Sequence, residues 1–158
     1  MMKIQNTQSV LTDQQRLVLD YWVSLHNDDA LPTRRQINPV RLGKSLASTS
    51  LVQKSDGAFK YRLTGSRVHG LFGSQQDKSL LEVIDETIAE AGSASLELAL
   101  ESGKPVSGSR KVGARWHCWL RLPFLDEDGA PNLVLCIDEF PTHIAPQVDA
   151  PMTERFVA

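Results

Sequence analysis

Gly57-Ala58-Phe59-Lys60-Tyr61-Arg62-Leu63-Thr64-Gly65-Ser66-Arg67-Val68-His69-Gly70-Leu71-Phe72-Gly73 is the stretch that decides how this chain is read. Phe59, Tyr61 and Leu63 alternate with Lys60, Arg62 and Thr64, the period of two that a strand shows when one side is covered and the other is wet. The alternation stops at Thr64-Gly65. Val68, Leu71 and Phe72 then follow at helical spacing between glycines 65, 70 and 73, so the strand is expected to run into short, turn-rich helical pieces. This arrangement predicts a small pocket with sheet on one side and helices on the other. It implies no reaction by itself.

Working back from this stretch, residues 46–53 are rich in Ser, Thr and Val, and Ser55-Asp56-Gly57 is a turn signal, so a hairpin is expected. The crossing segment Leu31-Pro32-Thr33-Arg34-Arg35-Gln36-Ile37-Asn38-Pro39 has two prolines, which favour extended backbone at Leu31 and Asn38. Arg34 and Arg35 read as solvated or paired charges. Gly43-Lys44-Ser45 resembles the end of a phosphate-binding loop but lacks its leading glycine and preceding strand. At the start, Thr12-Asp13-Gln14-Gln15 is a capping box that opens a helix carrying Val18, Tyr21, Trp22 and Leu25 at i, i+3, i+4 and i+7. Leu17, Leu19 and Val23 widen its apolar surface beyond one stripe. The helix is therefore expected either to cover its own domain only or to meet a second copy as well.

Working forward, Leu80, Leu81, Val83, Ile84 and Ile88, then Leu96, Leu98, Ala99 and Leu100, mark helical cover that Gly103 and Pro105 terminate, with a break possible at Gly92. Residues 106–115 read as a weak polar strand. Trp116, Cys118, Leu120, Leu122 and Phe124 share one parity of the next strand, and Arg115, His117, Trp119 and Arg121 the other, read as a mixed polar outer surface or partner contact. After a loop at 126–131, residues 133–137 are an unbroken apolar run, as expected of a strand covered on both faces, or of one whose outer face packs on the first helix or a partner. The order of elements is that of an α+β domain with an antiparallel sheet.

The chain has 158 residues, 41% hydrophobic and 23% charged, enough for one core. Residues 1–10 and 141–158 read as flexible tails around a domain at 11–140. Seventeen basic and nineteen acidic residues give a net charge of −2, which drives the chain toward neither nucleic acid nor an anionic membrane. No leader-like segment or run of about 20 apolar residues is present, so the expected location is cytoplasmic. Cys118 and Cys136 sit in apolar runs without ligand spacing and read as buried reduced thiols. His26, His69, His117 and His143 show no zinc pattern, there is no Gly-x-Ser-x-Gly elbow, and Asp126, Asp128 and Gly129 lack the later glutamate of a calcium loop. No catalytic or metal site is expected.

Tyr21-Trp22, the crossing segment 31–39, and Tyr61-Arg62-Leu63-Thr64-Gly65-Ser66-Arg67 with Phe72-Gly73 together resemble a PAS domain, specifically a short bacterial family whose members are little more than one such domain. The resemblance covers about residues 15–140. It implies a five-stranded antiparallel sheet in spatial order 2-1-5-4-3, with helices on one face, an N-terminal amphipathic helix, and a pocket enclosed by the helices between strands 2 and 3. It also implies a sensory or regulatory, non-enzymatic module that signals through a homodimer or an unidentified signalling protein. The cofactor is left unknown. Haem is disfavoured because residues 86–102 offer no proximal His, and a covalent flavin because both cysteines lie in the late strands. The candidate pocket lining is Phe59, Tyr61, Phe72, Ile84, Ile88, Trp116 and Cys118, around a small apolar ligand or simply as packed core. The candidate interface is Val18, Tyr21, Trp22, Leu25 and Trp119. The alternative reading is a small-molecule receptor with an occupied pocket, ahead of a small enzyme or a nucleic-acid binder.

Overall fold

Asp56 and Gly57 both take positive φ, 53° and 78°, the backbone hand a two-residue hairpin turn requires, and this closes β1 (Thr49–Ser55) onto β2 (Ala58–Thr64). The computed structural model describes residues 11–28, 30–66 and 86–144; for 86–92 and 112 it describes backbone only. The glycine-broken pieces expected after Ser66 and both tails' outer parts lie outside the described residues. The remaining elements are α1 (Asp13–Ser24), a 3-10 turn (Arg34–Gln36), α2 (Pro39–Leu42), a second 3-10 stretch (Gly43–Ser48), α3 (Glu86–Ser102), β3 (Val106–Val112), β4 (Arg115–Phe124) and β5 (Leu133–Glu139). The backbone of α3 runs through Gly92 without a break. The helix stops where Gly103 takes φ 66° and its N–H bonds the Ala99 carbonyl at 2.9 Å.

The five strands form one antiparallel sheet in the order β2-β1-β5-β4-β3, the order the resemblance implied. The last strand is thus central, seated between the first hairpin and the β3–β4 pair. Its alternate residues divide between two cores. Leu133, Leu135 and Ile137 join Leu51, Leu120, Leu122 and Phe124 beneath α1, on what is here called the outer face. Val134 and Cys136 join Val52, Phe59, Tyr61 and Leu96 beneath α3, on the inner face.

The capping box fixes α1, with Thr12 Oγ1 accepting from the Gln15 amide at 3.1 Å and Gln15 Oε1 accepting from the Thr12 amide at 3.1 Å. Gln15 is fully buried, and its Nε2 donates to the Cys118 and Ile137 carbonyls, each at 3.0 Å. One amide therefore satisfies carbonyls from both β4 and β5. Thr12 Oγ1 also donates to Glu139 at 2.5 Å. Further along, Trp22 Nε1 donates to the Pro123 carbonyl at 2.9 Å. The Tyr21 hydroxyl donates to the Gln36 carbonyl and accepts from the Asn38 amide, which holds the crossing segment against the helix.

Of the interface residues expected on α1, Val18, Tyr21 and Trp22 are buried against the sheet, and Leu25 packs at its margin partly exposed. What α1 leaves exposed is Leu17 and Val23. Trp22→Ala is therefore expected to destabilise the domain by about 3–5 kcal/mol, the usual cost of emptying a buried Trp site. Leu17→Ala should fall within about 0.5 kcal/mol of wild type, as exposed positions do. Urea unfolding followed by circular dichroism measures both.

Candidate functional site

A carboxylate that directly follows an apolar run in a doubly covered strand needs a partner, because burying an ion without one is too costly. Asp138 is that residue, on the inner face at the end of β5, and β4 supplies its partner. Arg121 is 7% exposed and grips the carboxylate with both terminal nitrogens, Nη1 to Oδ2 and Nη2 to Oδ1, each at 3.1 Å. Its Nε reaches Ser95 Oγ of α3 at 3.3 Å. His117 Nε2 lies 2.7 Å from Asp138 Oδ1. An ionised carboxylate only accepts, so Nε2 is the protonated ring nitrogen. The imidazole stacks on Phe140 at 4.6 Å and 9° and stands 5.3 Å from Trp119.

Burial alone would raise the Asp138 carboxyl, but the Arg121 charge and the His117 hydrogen bond outweigh it and hold the group well below the usual carboxylate range. Burial likewise opposes the Arg121 charge, and Asp138 more than offsets it. The Tyr61 phenol is pushed up by burial and then by the Asp138 charge. Cys136 is pushed up to about 12, chiefly by burial, and Cys118 to about 11, by burial and then Glu139. Both thiols are free and buried, conditions that suppress thiolate chemistry.

The expected pocket lining is only partly brought together. Phe59 and Tyr61 do share the inner face. Cys118 is on the outer parity of β4, across the sheet, where Gln15 bonds its carbonyl. Trp116 has that same parity and lies under the Lys111 ammonium. Phe72 and Ile84 lie outside the described residues, as does the Ile88 side chain. Trp119, expected on an outer contact surface, instead has the inner parity, and its indole lies over Gly108, where an added Cβ would come within 2.2 Å of the ring. His117 and Arg121, expected on a polar outer surface, lie on the inner face, Arg121 buried and His117 half-buried, while Arg115 at the strand's start is exposed and donates to the Phe140 carbonyl.

The sequence held a signal for this network in Asp138 after an apolar run, with an arginine in the neighbouring strand. The calcium-like loop is a closed turn, in which the Asp126 carboxylate accepts from the Asp128 and Ala130 amides and from Asn132 Nδ2. Among the described residues, no three His, Cys, Asp or Glu side chains are grouped to hold a metal, and no helix is long and apolar enough to cross a membrane.

A five-stranded antiparallel sheet of this order, with α3 over one face and α1 over the other, is a PAS-like fold. Residues 11–134 match the family model described as PAS domain, and the chain belongs to that family. PAS domains are generally sensory and signalling modules. Among solved structures, the crystal structure of a domain of HTR-like protein from Haloarcula marismortui ATCC 43049 is 16% identical, with a TM-score of 0.47, over 59% of this chain and 97% of that one. No curated protein matches the sequence.

Removing one member of the Arg121–Asp138 pair strands a buried charge, so Arg121→Met or Asp138→Leu alone should cost about 3–5 kcal/mol, and the double variant far less than their sum. Denaturant unfolding of the four proteins measures the coupling. The pH dependence has a definite sign. Asp138 has a folded-state pKa below its ordinary 3.8, so its stabilising contribution is complete above that value and fades as pH falls toward the folded one. Wild type should lose stability more steeply than the double variant as the medium is acidified from about pH 4 to 2, which melting curves across that range would register.

Proposed function

We propose that this chain is a regulatory PAS module in which the inner-face network is the sensing element and contacts with other proteins are the output. The observation that carries this reading is the position of Asp138 and Glu139. They are consecutive on β5, so their side chains leave opposite faces of the sheet. Asp138 holds Arg121 and His117 on the inner face, and Glu139 accepts from the N-cap residue of α1 on the outer one. Whatever re-partners Arg121 or His117 on the inside moves the strand end to which the outer helix is capped. A buried ion pair stabilises less than apolar packing of the same volume. A two-state switching role is a reason to keep one, with Phe59 and Tyr61 packed on the same inner face.

Hydrogen exchange on His117→Gln tests this coupling. The expected outcome is altered protection of the α1 amides, with the β1–β2 hairpin amides unchanged. Equal protection at α1 in both proteins would reject it.

A second reading, the small-molecule receptor, draws support from the juxtaposition of Tyr61, Cys136 and the ion pair with Val52 and Leu96, a mixed surface suited to a ligand with one polar group. Native mass spectrometry of gently purified protein should then show an adduct. A species at the bare sequence mass would count against it.

A further inference from the structure

Between Asp29 and Asp56 the sequence has five cations, Arg34, Arg35, Arg41, Lys44 and Lys54, and no carboxylate. This span folds into the crossing segment, α2, the second 3-10 stretch and β1, and together with residues 63–66 and Leu135 it builds an open groove of about 820 Å³ on the outer face; Lys54 lines neither hollow and pairs with Glu97 at 2.7 Å. Ile37, Leu42, Leu46 and Leu63 are among its apolar walls, and Arg34 and Lys44 are its charged lining residues. A shallower hollow of about 550 Å³ shares Leu42, Gly43 and Lys44 with it and continues to Leu17 and Arg41 beside α1. The two form one surface.

The exposure of large apolar side chains is concentrated on this surface. Of the five exposed among the described residues, Leu17 (62%), Leu46 (43%) and Leu63 (52%) line the two hollows, and Val40 (83%) stands between lining residues Pro39 and Leu42. Only Val23 lies elsewhere. The carboxylates facing the surface are few. Glu127 is 4.0 Å from Arg34, both well exposed, and Asp20 borders the hollow beside α1. Arg41 lies over the Tyr21 ring at 5.0 Å, and Lys44 makes no ion pair among the described residues.

We propose that this surface is a docking site for an acidic amphipathic segment of a partner protein, with its apolar side chains in the groove and its carboxylates on Arg34, Arg41 and Lys44. The charge balance selects the partner's sign. The apolar walls select a segment that presents leucine-like side chains on one side, since a purely acidic stretch would leave them wet. The open groove suits a peptide more than an enclosed small molecule. This proposal rests on the regulatory reading above and names the output surface.

The test uses the full chain and a fluorescein-labelled synthetic helix of about 18 residues, with leucines at i, i+3, i+4 and i+7 and glutamates elsewhere. The control peptide has lysine for glutamate. Fluorescence anisotropy should show binding of the acidic peptide that weakens with added salt, and no binding of the basic one. Lys44→Glu and Val40→Glu, both at surface positions that leave the cores intact, should each weaken binding about tenfold, the usual range for a contact central to an interface. Equal binding of the two peptides, or unchanged affinity in both variants, would overturn the proposal. So would binding only to phosphatidylglycerol vesicles, which would assign the surface to a membrane. Self-association abolished by Val40→Glu, with no peptide bound, would assign it to a second copy and overturn it as well. A failed peptide experiment alongside an intact α1 response in His117→Gln would sink the docking surface alone, whereas loss of the α1 response would sink the regulatory reading beneath it.

Discussion

The structure depends on the central strand β5 being covered on both faces. A strand in that position has no solvent side, so each of its residues must be accommodated by one core or the other. Leu133, Leu135 and Ile137 solve this with apolar contacts beneath α1, and Val134 and Cys136 do so beneath α3. Asp138 has no such solution open to it. Its burial is tolerable only with the guanidinium of Arg121 and the imidazole of His117 in place, and that requirement fixes the register of β4 against β5, where Arg121 faces Cys136 and Trp119 faces Asp138.

The N-terminal helix is joined to the outer face of the sheet by a small set of polar contacts. Gln15 enters the outer core as a fully buried amide and bonds one carbonyl from each of β4 and β5, while Thr12 bonds Glu139. The N-terminal helix is thus attached through directional bonds at its first turn and through apolar packing and the Trp22 indole further on. Directional bonds are made or lost as units.

How much of this the sequence disclosed depended on whether a pattern had one meaning or two. The Phe59–Tyr61 alternation, the Asp56-Gly57 turn, the Thr12–Gln15 capping box and the Gly103 stop are local, and each was legible because backbone geometry demands those residue types at those places; Leu63, expected on the covered side with Phe59 and Tyr61, departs from it, because the pairing with β1 shifts register between Leu51 and Val52 and leaves Leu63 opposite Leu51 and 52% exposed. The unbroken run at 133–137 correctly marked a strand covered twice. The parity of β4 was the ambiguous case. Alternation shows that Cys118, Leu120, Leu122 and Phe124 share a side, but with two cores available it does not say which. Equating the apolar side with the pocket grouped Trp116 and Cys118 with Phe59 and Tyr61, whereas they lie across the sheet from them, and put His117, Trp119 and Arg121 outside. In the same way, Leu17, Leu19 and Val23 looked surplus on α1; Leu19 is absorbed by the outer core, whose strands are far away in sequence, while Leu17 and Val23 stay exposed.

Trp119 carries a consequence of its own. Its ring occupies the space that the absent side chain of Gly108 leaves free, within van der Waals range of backbone on one side and near an imidazole on the other. An indole so placed is a native chromophore, whose emission responds to the field and solvent around it without any label. Trp22 is sealed under α1 and Trp116 lies across the sheet under Lys111. Replacing those two by phenylalanine would leave a single optical readout of events on the enclosed side of the sheet.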